Sequence, residues 1–366
     1  MSILRTVDSI PSLSGKTVLL RIDCDIDIED GLPAGRQGKI FDDTRLESSV
    51  KTIKLVLEKG GEINIIGHLG RPEALSNNDE RITNNEFSLR PIAKWFAERL
   101  DGKVEDIKIG RLNGWKVTDK INLFENIRYF PEEETNDANF ARELALLGDI
   151  YVNDAFAVCH REHASILGIT KFLPSYAGIH LQKEVEELSK VLDNPKRPLA
   201  VLIGGAKIET KLPLVEKMHH IADYVLVGGE IAEQTRVLIK VQHEKIRPKA
   251  SGSKSMVLVA DLAQSGLDIT PKSVENFKQV LQNAATIVWN GPVGLIGSED
   301  SERGTRELAH FIVSTRAYKV VGGGDTLAYL RRINLLNKFD FVSTGGGAML
   351  EFLSGNILPG LAALEI

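Results

Sequence analysis

Cysteine is scarce: Cys24 and Cys159 are the two in 366 residues. Two thiols make no disulfide framework for a chain of this size, and neither has a second cysteine at metal-ligand spacing, so both read as reduced and packed. Apolar runs never reach the roughly 18 residues of a membrane span. The stretch MSILRTVDSIPSLSGKTVLL lacks the basic start and apolar core of a secretory signal, and a cytoplasmic location is expected. Positive charge is not in excess: 45 Lys and Arg against 50 Asp and Glu give a formal net charge of −5, which argues against nonspecific nucleic-acid binding. Any anionic ligand must be small and met by a local basic pocket.

What is present is one recurring unit: a short β-branched or apolar run, a sharp polar or glycine-rich corner, and a segment with helical spacing. The runs are TVLLRID (17–23), EINIIGH (62–68), INLFENI (121–127) and DIYVNDA (149–155), then LAVLIGG (199–205), DYVLVGG (223–229), TIVWNGP (286–292), KVVGGG (319–324) and FVSTGGG (341–347). Alternation of strand and helix predicts a mainly parallel sheet covered by helices on both faces. Between the two sets, Leu181, Val185, Leu188 and Leu192 fall at helical spacing ahead of Asn194 and Pro195, which predicts one connecting helix. The expected architecture is α/β: two doubly wound lobes, 1–175 and 195–351, joined by a helix over 176–194, with a cleft between them and a tail, 352–366, returning to the first lobe. Residues 31–39 read as a glycine-rich hairpin loop and 241–255 as a polar surface excursion.

Ligands of an open parallel sheet bind beyond the carboxyl ends of its strands, so the corners predict the ligand. In the first half they carry Asp23, Asp25, His68, Arg71, Arg128, His160, Arg161 and His163, and Arg45 stands just ahead of a predicted helix. Guanidinium forks match phosphate and carboxylate, so this set suits a small polyanion better than a metal. In the second half the corners are GGAK, GGE, NGPVG, GGGDT and TGGGA, where glycine lets a backbone approach phosphate and a helix start offers free N–H groups. Asp325 is either a helix cap or a magnesium carboxylate. Lys207 and Lys211, four apart, are expected as two cations on one helix face. SGKT at 14–17 lacks the first glycine of a P-loop and reads as a turn, and neither triplet completes GxGxxG, which leaves hydride transfer the weaker reading.

Taken in order, VLLRIDCDI, GHLGRP, LFENIRYFPEEE, YVNDAFAVCHREHAS, GGAKIETKL, TIVWNGPVG, GGGDT and STGGGAMLEFLSGNILPG resemble the phosphoglycerate kinase family along nearly the whole chain. The resemblance implies a monomeric two-lobed hinge-bending enzyme exchanging a phosphoryl group between 1,3-bisphosphoglycerate and MgADP, with no nucleic-acid or membrane partner. It assigns Asp23, Cys24, Asp25, Arg45, His68, Leu69, Gly70, Arg71, Arg128 and Arg161 to the phosphoglycerate. Lys207, Lys211, Gly323, Gly324, Asp325 and Thr326 go to the nucleotide, with Asp325 near the magnesium. Arg45, Lys207, Gly346 and Gly347 would act on the phosphoryl group in flight.

The chain departs from the family pattern at four corners. Asp25 replaces an asparagine, Ala157 and Glu230 replace glycines, and Gly297 stands where a ribose-contacting glutamate is usual, with Glu299 or Asp300 as substitutes if the loop is remodelled. The segment between Gly229 and Gly266 is also short. A regulatory nucleotide-binding protein of the same fold, without turnover, is the second reading.

Overall fold

The computed structural model describes residues 4–28, 40–72, 87–245 and 255–365. The glycine-rich stretch 31–39 and residues 246–254 of the polar excursion lie outside them. The chain divides into two compact units, Met1–Glu184 with Ile357–Ile366, and Val185–Asn356.

In the first unit the strands are β1 (Thr17–Arg21), β2 (Glu62–Ile66), β3 (Glu105–Ile109), β4 (Leu112–Thr118), β5 (Ile121–Phe124), β6 (Ile150–Asn153) and β7 (Ser175–Ala177). They form one sheet in the order β3-β4-β5-β2-β1-β6-β7. Pairing is parallel from β5 through β7, and β3 and β4 add an antiparallel hairpin at one edge. That hairpin does not show in the apolar pattern because β3, EDIKI, alternates charge with isoleucine and leaves both faces largely wet. Around the sheet lie α1 (Thr44–Glu58), α2 (Arg90–Arg99), α3 (Pro131–Glu134) and α4 (Ala138–Ala145). α1 buries Leu46, Ser49, Ile53 and Val56, the three-to-four spacing of a single stripe. Asp137 caps α4 by accepting from the N–H groups of Asn139 and Phe140. Arg45, expected ahead of a helix, is the second residue of α1. The SGKT stretch forms a turn at Ser14 and Gly15, before β1.

α5 (Ile179–Asp193) spans the boundary between the units and starts where Asp154, just past β6, accepts from the N–H groups of His180 and Leu181 at 2.9 and 3.1 Å. The second unit contains β8 (Leu199–Ile203), α6 (Ile208–Ile221), β9 (Tyr224–Val227), α7 (Ile231–Lys245), β10 (Met256–Val259), α8 (Pro271–Leu281), β11 (Thr286–Asn290), α9 (Arg303–Ser314), β12 (Tyr318–Gly322), α10 (Gly324–Arg332), β13 (Phe341–Ser343) and α11 (Gly347–Leu353). Its sheet is wholly parallel, in the order β10-β9-β8-β11-β12-β13. β8 and β11 lie inside and are buried at every residue, as helices on both faces require. α7 runs through residues 241–245, so the first part of the expected surface excursion is helical. α12 (Pro359–Ala362) lies in the first unit, where the Gly360 N–H donates to the Cys159 carbonyl at 2.9 Å.

Candidate active site

In the first unit the polar corners of β1, β2, β5 and β6 share the carboxyl edge of the sheet. Asp23 is buried, and its two oxygens accept from Arg45 Nη1 at 2.7 Å and from the Asp25 N–H at 3.0 Å. That carboxylate holds the Arg45 guanidinium, whose pKa it raises, over the strand end. Asp25 is exposed, and its Oδ1 accepts from the Gly70 N–H at 2.9 Å. Arg128 Nη1 donates to the Gly70 carbonyl at 2.8 Å, and Asn126 Nδ2 donates to the Leu69 carbonyl at 2.7 Å. The GHLG turn is thus held from both sides. Gly70 has φ +58°, and a Cβ there would stand 2.4 Å from the Phe87 ring, so no other residue fits.

His68 is buried, and its Nδ1 lies 2.8 Å from Arg21 Nη2. A guanidinium only donates, so Nδ1 accepts and the ring proton sits on Nε2. Burial, then the charges of Arg21 and Arg128, push the His68 pKa far below its ordinary value. His160 and His163 are lowered to about 4, by burial first and then by Arg161 for His160 and Arg128 for His163. All three imidazoles are neutral at pH 7 and offer hydrogen bonds rather than charge. Arg71 and Arg161 are exposed and make no ion pair with any described residue. Leu69 is buried, and Cys24 is fully enclosed, its sulfur lying where a Cβ on Gly67 would stand. Of the residues expected here, Cys24 therefore offers no side-chain atom to a ligand.

In the second unit β8, β11, β12 and β13 end together. Lys207 is the exposed residue before α6, whereas Lys211, one turn in, is buried and donates to the Asn290 side-chain oxygen. Burial lowers the Lys211 pKa to about 8, with Asp325 opposing and Lys207 reinforcing the shift. The two cations expected on one helix face are therefore one exposed lysine and one buried, engaged lysine. Asp325 is exposed in the first turn of α10 and makes no capping bond; Gly323, at φ +96°, occupies the cap position. The capping role weighed for Asp325 is thus excluded. Thr326 is fully buried, its hydroxyl accepting from the Gly291 N–H at 3.0 Å. Within the first triplet a Cβ on Gly322 would sit 2.2 Å from Met349 Sδ, while one on Gly324 would meet nothing within 4 Å. Gly346 precedes α11 with φ +52° and ψ −116°, and Gly347 is its first residue. No group of three or more His, Cys, Asp or Glu is placed to hold a metal among the described residues. One carboxylate beside an open helix start suits a cation brought in on phosphate oxygens.

A family model described as Phosphoglycerate kinase matches residues 7–250 and 237–356. The chain belongs to the phosphoglycerate kinase family. The curated phosphoglycerate kinase of Syntrophobacter fumaroxidans is 37% identical over 398 residues, covering 96% of this chain and 96% of that protein. That of Coprothermobacter proteolyticus is 36% identical over 393 residues with 96% of each covered. Among solved structures, phosphoglycerate kinase from Coxiella burnetii is 30% identical with a TM-score of 0.78 over 99% of both chains. The one from Pyrococcus horikoshii is 27% identical with a TM-score of 0.75, over 99% of this chain and 98% of that one. The chain is accordingly an enzyme, a kinase with a carboxyl group as acceptor.

Sequence reasoning missed the support beneath this phosphoglycerate kinase edge. Arg21 is fully buried in β1 and donates from Nε to Ser165 Oγ at 3.1 Å as well as to His68. Ser165 in turn donates from N and Oγ to the buried Glu133 carboxylate at 2.9 and 2.6 Å, and burial raises the Glu133 pKa. An arginine inside the apolar run VLLRI is a sequence signal for such a network; Glu133, one of three glutamates in a row, carries none. At the Gly297 departure, Glu299 is surface-exposed and pairs with Arg306 at 3.5 Å. The acid that engages this loop is Glu302, buried, accepting from the Gly297 N–H at 2.7 Å and from Arg332.

Proposed function

We propose that this kinase transfers a phosphoryl group reversibly between 1,3-bisphosphoglycerate and MgADP, giving 3-phosphoglycerate and MgATP. The reading is carried by the match over 96% of the chain to relatives named phosphoglycerate kinase. In it, Arg45, His68, Arg71, Arg128 and Arg161, with the backbone of Leu69 and Gly70, hold the phosphoglycerate on the first unit. The neutral His68 contributes as a donor through Nε2–H. Asp23 positions Arg45, and Asp25 positions Gly70. On the second unit, Lys207 and Lys211 and the open backbone at Gly323 and Gly324 receive the nucleotide phosphates, with Thr326 bracing Gly291 beneath them. Asp325 fits the magnesium ion that enters with the nucleotide, directly or through water, and when bound that ion neutralises phosphate charge.

The chemistry asks little else of the protein. In the ATP-consuming direction the attacking carboxylate is already ionised at neutral pH, so no general base is needed. The loose phosphoryl transition state needs positioning and positive charge, which Arg45, Lys207 and the N–H groups at Gly346 and Gly347 provide. In-line transfer between ligands held on different units demands a closing motion that also excludes water. The enzyme acts as a cytoplasmic monomer in this proposal.

A coupled assay for ATP formation from 1,3-bisphosphoglycerate tests the reading, with turnover expected in the presence of MgADP. Binding of both substrates without turnover overturns it in favour of a regulatory protein.

A further inference from the structure

At the amino ends of the strands of the second unit, two adjoining pockets of about 260 and 540 Å³ share Lys196 and Tyr318 in their walls. They lie away from the nucleotide edge: β11 enters at Thr286, in the smaller pocket, and leaves at Asn290, beside Lys211. Four steps at about 3.3 Å separate those ends by roughly 13 Å.

Much of the lining is apolar, and the larger pocket also carries Lys196, Arg316, Lys319 and one carboxylate, Asp340. Val191, Pro195, Ala285 and the Tyr318 ring line the two pockets, and the Tyr318 hydroxyl is tied to the Glu187 carboxylate, which holds the ring in place. The Lys196 carbonyl accepts from Thr286 Oγ1 at 2.8 Å, which fixes the backbone from which that lysine projects. Neighbouring cations are consumed, Lys190 by Glu187 at 2.8 Å and Lys319 by Asp340 at 3.0 Å. Lys196 and Arg316 are exposed, both line the larger pocket, and neither makes an ion pair with any described residue. In a chain with a formal net charge of −5, two uncommitted cations over an apolar floor are a local basic site.

An exposed charge pair contributes only about 0–1 kcal/mol and is screened by salt, so a hydrated inorganic anion gains little here. A ring buried against apolar walls adds the larger part, with the charges fixing its orientation. We propose that this face binds a small aromatic anion, its ring against Tyr318 and Pro195 and its carboxylate, sulfonate or phosphate at Lys196 and Arg316.

The probe is 8-anilinonaphthalene-1-sulfonate, titrated by fluorescence with MgADP and 3-phosphoglycerate saturating so that the carboxyl edge is blocked. Saturable enhancement at one site per chain is expected. The double variant Lys196→Glu/Arg316→Glu should weaken the probe by about tenfold or more, while Lys196→Arg/Arg316→Lys stays within about twofold of the original. Absence of a saturable signal, or equal affinity in the charge-reversed protein, overturns the proposal. Amide chemical shifts of Ala285 and Tyr318 in the unaltered protein supply a reading that needs no variant: both move if the ring seats there, and unmoved amides refute it.

Discussion

Replacing Asp25 with asparagine isolates one charge from the geometry around it. Asp25 Oδ1 accepts the Gly70 N–H at 2.9 Å, a bond an amide oxygen makes equally well, so Asp25→Asn leaves the GHLG turn in place. Arg45 is bonded to Asp23 and not to Asp25, so its position is also retained. What disappears is a negative charge that acts on Arg45 and Arg128, the cations proposed to hold the phosphoglycerate. Two charges about 7 Å apart at an effective dielectric constant of about 40 interact by about 1 kcal/mol. The more distant charges of the ligand are screened and add a few tenths more, and a total of about 1.4 kcal/mol is about a tenfold gain in affinity. The KM for 3-phosphoglycerate, measured in the ATP-consuming direction, should therefore fall about tenfold, with kcat and the KM for ATP little changed. Added salt should shrink the difference, because Asp25 is exposed. A rise in the 3-phosphoglycerate KM would refute the reasoning and show instead that Asp25 accepts a hydrogen bond from the substrate.

Four further outcomes are expected. Arg45→Ala and Lys207→Ala should each lower kcat by about a hundredfold or more with modest change in either KM, read from steady-state kinetics, since both act on the group in transfer. Lys211 has its pKa lowered to about 8, so its cation is present below that pH and lost above it; the KM for ADP should rise between about pH 7 and 9, and Lys211→Arg should remove that rise. Glu125, buried and accepting from Ser88, Leu89 and Asn126, has its pKa raised by burial to about 7. The folded state then holds a proton that the unfolded chain has released, so stability falls as pH rises from about 4.5 to 7, and Glu125→Gln should flatten that slope in chemical denaturation. Gly297→Glu places a side chain at φ +133°, a conformation that L residues rarely adopt, so a loss of about 1 kcal/mol or more is expected in place of tighter nucleotide binding, read from denaturation and the ADP KM.

The parts of this protein that depend on local pattern are legible in its sequence. Buried parallel strands such as LAVLI and TIVWN must be apolar throughout, and they end in polar or glycine corners because the chain turns there toward a helix. The β3–β4 hairpin escaped because an edge strand wet on both faces has no apolar signature. β7, SYA, carries too little apolar character to register as a run, and β10 directly follows the stretch 241–255 read as a polar excursion, so neither is among the predicted strands.

Burial and partnership at the site were decided elsewhere. Lys207 and Lys211 have the same chemistry and are one helical turn apart, yet the first is exposed and the second is enclosed against Asn290, because β11 ends beneath only one of them. Arg21 looks like a strand-end charge until Ser165 and Glu133, more than a hundred residues away, close around it, and burial together with the Arg21 charge leaves His68 neutral. The two glycine triplets look alike in sequence; packing against Met349 makes Gly322 a spacer, while Gly324 and Gly346 open onto free space. Sequence alone determined the alternation of strands and helices, the chemistry available at each corner and the family, because these rest on residue type and spacing along the chain. The tertiary structure alone decided which of those groups are charged, free or buried, because desolvation and hydrogen bonding depend on neighbours brought together from distant segments.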